Sequence, residues 1–139
     1  MRILLDTNVL ISALLSSSGP PGQLLSTIRQ GRHVLISSDY IAHELRSVSG
    51  RPHLRSRIAS EEVEALIYNL EAVGFVVSEV PEIDVSSDPN DNPILATAIA
   101  GKADLIVSGD KSHMLSLGQV HGIPILTPRD ALERLESAR

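Results

Sequence analysis

Four isolated acidic residues occupy comparable positions on separate segments of this chain. Asp6 and Asp110 each follow a short apolar run, and Glu44 and Asp91 lie near the starts of two helical patterns. Like charges that are gathered at one place repel each other by several kcal/mol per pair at an effective dielectric near ~20. A chain that brings these four carboxylates together therefore needs a compensating cation, and a divalent metal is the expected one.

Size and composition limit the class of protein. A chain of 139 residues suits one domain, so we expect a single domain over residues 1–139. Apolar residues make up 42% of the chain but aromatic residues only 2%, so aliphatic side chains must fill the core. The absence of Cys excludes disulfides, thiolate metal sites and a Cys nucleophile.

The N-terminus resembles a secretory signal for only a few residues, because Asp6 and Asn8 interrupt its apolar region. No run approaches the ~18–20 apolar residues that a membrane span requires. We therefore expect a cytoplasmic protein without a membrane partner.

Short apolar strands alternate with helical patterns along the chain. Strands are expected at 2–5, 34–36, 75–77, 104–108 and 123–126, and helices at 7–15, 23–30, 40–48, 60–73, 92–100, 112–117 and from 128 onward. This alternation predicts an α/β fold, with a parallel sheet covered by helices on both faces.

The four acids should meet at one edge of that sheet. Ligands of such sheets bind outside the carboxyl ends of the strands. Asp6 and Asp110 follow strands and so lie at this edge. Asp91 lies where a helix begins at the same edge, and Glu44 is about one turn into its helix.

Each acid also has a purely structural interpretation. Asp6 could cap the first helix, and Glu44 could be a solvated helix residue that borders an apolar face. The segment DPNDNP at 88–93 is a strong turn and cap signal, so Asp88 is either a helix cap or a ligand. Gly109 would allow an unusual backbone turn before Asp110.

Other chemistries are disfavoured by the motifs. The five His residues lack the pairwise spacing of a zinc site. No phosphate-binding glycine loop and no serine nucleophile elbow are present. Oxygen ligands suit Mg²⁺ or Mn²⁺.

The charge distribution leaves a nucleic-acid partner open. The net charge is −5, yet no acid occurs between Glu44 and Glu61, where four arginines form a basic strip. Candidates for holding a nucleic-acid backbone are Arg46, Arg51 and Arg55 in this strip and Lys111 beside Asp110.

Three segments resemble the PIN domain, specifically its toxin branch close to VapC-type ribonucleases. They are RILLDTNVLIS at 2–12, DPNDNPILA at 88–96 and ADLIVSGDK at 103–111, and Glu44 within IAHEL matches the remaining acidic position. The resemblance implies a three-layer α/β/α sandwich with a mainly parallel central sheet.

The resemblance also implies a metal-dependent endoribonuclease. Its catalytic and metal-binding acids carry over to Asp6, Glu44, Asp91 and Asp110, which would hold Mg²⁺ or Mn²⁺. Its accessory polar positions match Asn8 and Ser108, with Asp88 a further acid of this branch. The implied partners are an RNA substrate, a cognate antitoxin and a second copy of the chain in a homodimer or higher homo-oligomer.

Two alternatives stay open on the residues alone. Metal–carboxylate chemistry does not choose the substrate, so a phosphatase or a PIN-like nuclease acting on DNA outside any toxin–antitoxin system remains. A non-catalytic Mg²⁺-binding receiver-like module is also possible in principle, although the chain lacks the Asp after a middle strand that such a module needs.

Overall fold

The computed structural model describes residues 1–137. The strands are β1 (Arg2–Leu5), β2 (Val34–Ser38), β3 (Phe75–Val77), β4 (Leu105–Val107), β5 (Gln119–Val120) and β6 (Ile123–Leu126). The helices are α1 (Thr7–Leu15), α2 (Pro20–Gln30), α3 (Asp39–Ser49), α4 (Ser60–Val73), α5 (Asn92–Ala100), α6 (Met114–Leu117) and α7 (Pro128–Ser137), and a 3-10 turn (Pro89–Asp91) precedes α5.

The strands form one sheet in the order β3-β2-β1-β4-β6-β5. All neighbouring pairs are parallel except β5 with β6. Ile3, Leu4, Leu105 and Ile106 in the two central strands are fully buried, as expected when helices cover both faces of a sheet. The predicted α/β architecture with a mainly parallel central sheet is confirmed.

The order of the strands creates a crevice beside β1. The chain moves outward from β1 to β3 and then returns to place β4 on the other side of β1. At such a reversal the loops after the two central strands diverge, which opens a ligand site at their carboxyl ends. The register pairs Leu5 with Val107, so Asp6 and Ser108 leave the sheet at the same level.

Some element boundaries differ from the prediction. α2 begins at Pro20 rather than at 23, because proline is favoured in the first turn of a helix, where its missing N–H costs nothing. The short antiparallel β5 was not predicted. It pairs with β6 through a turn at His121 and Gly122, both with positive φ, and two residues are too few for a periodic signal.

The helices leave no candidate for a membrane span in the described part of the chain. The longest of them, α4, has 14 residues, and none combines the length and apolarity that crossing a bilayer requires.

Candidate metal and catalytic site

The carboxyl ends of β1 and β4 are joined through Asp6 and Ser108. The Asp6 amide donates to the Val107 carbonyl at 2.9 Å, and the Ser108 hydroxyl donates to Asp6 Oδ2 at 2.8 Å. The same hydroxyl accepts a hydrogen bond from the Asp110 amide at 3.0 Å. Because Ser108 is fully buried and Asp6 is only 5% exposed, this arrangement holds Asp6 away from bulk water.

Asp6 occupies the N-cap position of α1, but its carboxylate does not cap the helix. The carboxylate instead bonds to Ser108, so the capping interpretation of Asp6 is wrong. Asn8 also reaches β4, since its Oδ1 accepts a hydrogen bond from the Gly109 amide at 3.2 Å. Gly109 does not have the predicted unusual backbone, because among the described glycines only Gly118 and Gly122 have positive φ.

Asp110 is positioned by the loop that follows β4. Its Oδ1 accepts hydrogen bonds from the amides of Ser112 at 3.0 Å and His113 at 3.3 Å. These bonds occupy one carboxylate oxygen and leave Oδ2 without a hydrogen-bond donor among the described contacts. Asp110 is half-buried, so this oxygen can face a ligand in the crevice.

Glu44 is oriented by Tyr40, which lies one turn earlier on α3. The Tyr40 hydroxyl lies 3.0 Å from Glu44 Oε2 and 3.2 Å from the carbonyl oxygen of Asn90, and it can donate to either. Tyr40 therefore links α3 to the 3-10 turn that carries Asp91.

The turn at 88–93 separates the roles of its two acids. Asp88 Oδ1 accepts a hydrogen bond from the Asn90 amide at 3.0 Å, so Asp88 caps the 3-10 turn. Asp91 is buried and accepts a hydrogen bond from the Ser86 hydroxyl at 3.2 Å. The 3-10 turn begins at Pro89, and the α-helix α5 begins at Asn92. Pro93 therefore lies in the first turn of α5, where the missing N–H of proline costs no helical hydrogen bond.

The four acids interact electrostatically. The pKa of Asp6 is raised from 3.8 to about 6. Burial is the main cause, and the charges of Asp91 and Glu44 add to it, while the Ser108 hydrogen bond acts in the opposite direction. Burial also raises the pKa of Asp91, and the charges of Asp88 and Asp110 act in the same direction. The pKa of Asp6 is therefore affected by the charges of Asp91 and Glu44, and the pKa of Asp91 by the charge of Asp110.

The pKa of Tyr40 responds to the same charges. Burial and the neighbouring Glu44 carboxylate raise it to about 12, with smaller contributions from Asp91 and Asp6. Tyr40 therefore stays protonated at neutral pH and remains a hydrogen-bond donor toward Glu44.

The donor set fits a hard divalent cation. All four candidate ligands are carboxylates, and none of them forms a salt bridge with Lys or Arg in the described chain, where the ion pair present is Arg46 with Glu64. Over residues 1–137, no three acidic or His side chains stand in an arrangement that would hold a metal by itself. Mg²⁺ keeps several waters and commonly takes one or two carboxylates directly, so a closed cage is not required.

The predicted RNA-binding residues lie in two different places. Lys111 is exposed in the loop beside Asp110. Arg46 makes two hydrogen bonds of 2.9 Å to Glu64 on α4. Arg46 is two residues after Glu44 on α3, so the two side chains leave the helix about 200° apart and lie on nearly opposite faces. Arg51 and Arg55 are exposed in the loop that follows α3.

Three polar residues near the acids were not predicted from the sequence. Tyr40 could have been found, because it lies four residues before Glu44 and such pairs share a helix face. Ser86 and His113 gave no periodic signal. Ser87 Oγ lies 2.8 Å from His113 Nδ1, and His113 is close enough to Asp91 to lower its pKa.

A mostly parallel α/β sheet with acids at its reversal point provides a crevice where a ligand can bind. The family model described as PIN domain matches residues 2–112, and the chain belongs to that family. PIN domains are nucleases, so the prediction of a nuclease is confirmed at the level of the class. The family match gives no support to the receiver-like alternative.

Two further proteins are similar to this chain over most of its length. It is 27% identical over 144 residues to the uncharacterized protein MJ1680 of Methanocaldococcus jannaschii, covering 98% of this chain and 92% of that protein. Its fold matches a chain in the crystal structure of VapBC2 from Rickettsia felis bound to a DNA fragment from their promoter. That match has a TM-score of 0.60 and 14% identity, and it covers 91% of this chain and 98% of the other.

Proposed function

We propose that this protein is an endoribonuclease that depends on Mg²⁺ or Mn²⁺ and uses Asp6, Glu44, Asp91 and Asp110 as its metal-binding and catalytic acids. The observation that carries the proposal is the buried Asp6 carboxylate, which has two acidic neighbours in electrostatic reach and, among residues 1–137, no cationic side chain bonded to it. A bound divalent ion supplies a water of lowered pKa and neutralises charge on the phosphate.

The remaining polar residues orient these acids. Ser108 holds one oxygen of Asp6, and in this proposal the other oxygen binds the metal. Tyr40 does the same for Glu44. Asn8 ties the start of α1 to the loop after β4, and Asp88 stabilises the turn that carries Asp91 rather than serving as a ligand.

Exposed cations supply the contacts to the RNA backbone in this proposal. Phosphate contacts position a strand without reading its sequence. Lys111 follows Asp110 directly, and Arg51 and Arg55 are further exposed candidates in the loop after α3. Arg46 is also a candidate for contacting the RNA, but it would first have to break its hydrogen bonds to Glu64.

We further propose that the protein is the toxin of a toxin–antitoxin pair, acting in the cytoplasm as a homodimer or higher homo-oligomer. The support is the likeness of its fold to the VapBC2 structure, which covers almost the whole of that chain. In this proposal the domain at 1–139 binds an antitoxin that blocks the acidic crevice.

Cleavage assays on three substrates test the enzyme activity. Purified protein is incubated with RNA, DNA and a phosphomonoester in Mg²⁺, in Mn²⁺ and in EDTA. We expect RNA cleavage that requires the metal and is lost in Asp6→Asn. Asp104→Asn is the matched control, because Asp104 is an exposed acid at the opposite end of β4.

The outcomes separate the alternatives. Cleavage of DNA but not RNA would show that the substrate is DNA, and turnover of the phosphomonoester alone would point to a phosphatase. Cleavage by Asp6→Asn at the wild-type rate would show that the proposed active site is wrong.

Expression in bacteria tests the toxin role. We expect wild-type protein to arrest growth and Asp6→Asn protein to be tolerated at the same expression level. Co-expression of the product of the adjacent gene should restore growth and co-purify with the wild-type chain. Growth arrest by both proteins would show that toxicity does not come from the proposed nuclease.

A further inference from the structure

A cavity of about 490 Å³ is lined in part by Tyr40, whose hydroxyl contacts Glu44 of the acidic site. This volume is within the range of ~300–1,000 Å³ that is typical of small-molecule sites. Its walls are mostly apolar and include Tyr40, Val80, Ile83, Pro89 and Pro93, and the acids in the lining are Glu82 and Asp84.

The cavity and the acidic site share two structural elements. Tyr40 lines the cavity, while its hydroxyl contacts Glu44 and the Asn90 carbonyl. Pro89 lines the cavity and begins the 3-10 turn that ends at Asp91. The cavity therefore adjoins the acidic site through Tyr40 and through the turn that carries Asp91.

The chemistry of the lining favours a nucleobase over a phosphate. An aromatic ring and prolines offer flat apolar surfaces for a base, and single-stranded nucleic acids are bound by such stacking. Glu82 and Asp84 can accept hydrogen bonds from base N–H groups but would repel a phosphate. Among the described residues that line the cavity, none carries a positive charge.

We propose that this cavity binds one unpaired nucleobase of the substrate strand next to the bond that is cut. The base stacks against Tyr40 and the prolines, and its N–H groups donate to Glu82 or Asp84. The proposal rests on the nuclease function and deepens it, because it requires a substrate that is single-stranded at the cleavage position.

The test uses short RNAs in which each nucleotide in turn is replaced by an abasic one. We expect one position beside the cleaved bond where base removal raises KM roughly tenfold or more. Ile83→Ala should raise KM for the intact RNA but should change KM little for that abasic RNA. The two changes remove the same interaction, so their effects are not additive. Val85→Ala is the matched control, since Val85 is an exposed apolar residue of the same loop that does not line the cavity.

Equilibrium binding of the same labelled RNAs in EDTA gives a second measurement that does not depend on cleavage. Weaker binding of one abasic RNA to wild type, and no such difference with Ile83→Ala, supports the base site even if no RNA is cut. Equal binding of intact and abasic RNAs at every position overturns it. If the wild-type protein cuts no RNA but still binds one abasic RNA more weakly than the intact RNA, the nuclease proposal is contradicted and the base site is supported.

Discussion

The hydroxyl of Ser108 donates a hydrogen bond to the Asp6 carboxylate at 2.8 Å, although 102 residues separate them in the chain. The same oxygen accepts the Asp110 amide, so one buried side chain positions two of the proposed catalytic acids. The contact exists because β1 and β4 are adjacent and parallel and end at the same level.

Removing this hydroxyl should impair the proposed nuclease without unfolding it. In Ser108→Ala, Asp6 loses its donor and the Asp110 amide loses its acceptor. Loss of a group that orients metal ligands typically costs ~10–100-fold in metal affinity or activity, and we expect a loss of that size in kcat/KM. Ser112→Ala is the control, because its exposed side chain makes no hydrogen bond in the described contacts. A Ser108→Ala enzyme as active as this control would contradict the proposed role.

Asp6 should destabilise the metal-free protein at neutral pH. Its folded pKa of about 6 lies above its ordinary value of 3.8, so ionisation is harder in the folded state. The penalty is absent below about pH 4, grows up to about pH 6 and is complete above it, at about 3 kcal/mol. Asp6→Asn should therefore be more stable than wild type at pH 8, and the gain should shrink toward pH 4.

Urea unfolding in EDTA at several pH values measures this effect. Asp104→Asn is the control, since that acid is exposed. A gain from Asp6→Asn that is the same at pH 4.5 and pH 8 would show that ionisation of Asp6 is not its source.

Divalent metal should stabilise the folded protein by binding it in preference to the unfolded chain. At a free concentration of 100 times Kd, one site contributes about 2.7 kcal/mol. We expect Mg²⁺ or Mn²⁺ to raise the Tm of wild type and to have a much smaller effect on Asp6→Asn. Thermal unfolding across a metal titration provides the measurement, and an identical rise in both proteins would place the metal elsewhere.

Tyr40→Phe should raise the metal concentration that the proposed enzyme needs for activity, while preserving the fold. The substitution keeps the ring but removes the hydroxyl that contacts Glu44 and Asn90. We expect a lower kcat at limiting metal and partial recovery at high metal, because Glu44 would still be present but less well oriented. Tyr68→Phe controls for the loss of a hydroxyl, since Tyr68 is 71% exposed. The same kcat in both variants at every metal concentration would exclude a role for Tyr40.

Lys111 and Arg46 should differ in their contribution to RNA binding. Lys111→Ala should weaken RNA binding. It should also reduce the magnitude of the slope of log K against log salt concentration by about one, as expected for one lost phosphate contact. Arg46→Ala should have little effect, because Arg46 is held by Glu64 away from Glu44. Binding measured between low and moderate salt compares the two, and the reverse ranking would show that Arg46 releases Glu64 to hold the strand.

The sequence by itself determined the layout of this protein. Alternating apolar strands and helical patterns predicted the α/β fold, because periodicity is a local property of the chain. Residues placed directly after strands predicted which edge would carry Asp6 and Asp110. The same local signals gave α1 its observed bounds of Thr7–Leu15.

Only the tertiary structure decided which groups each acid contacts. Asp88 and Asp91 are equivalent as turn residues in the sequence, yet one caps the 3-10 turn and the other is buried against Ser86. The raised pKa of Asp6 and the link from Tyr40 to the Asp91 turn likewise arise from packing between distant segments. Burial and strand register are global quantities, so spacing along the chain could place the carboxylates at one edge but could not assign their partners.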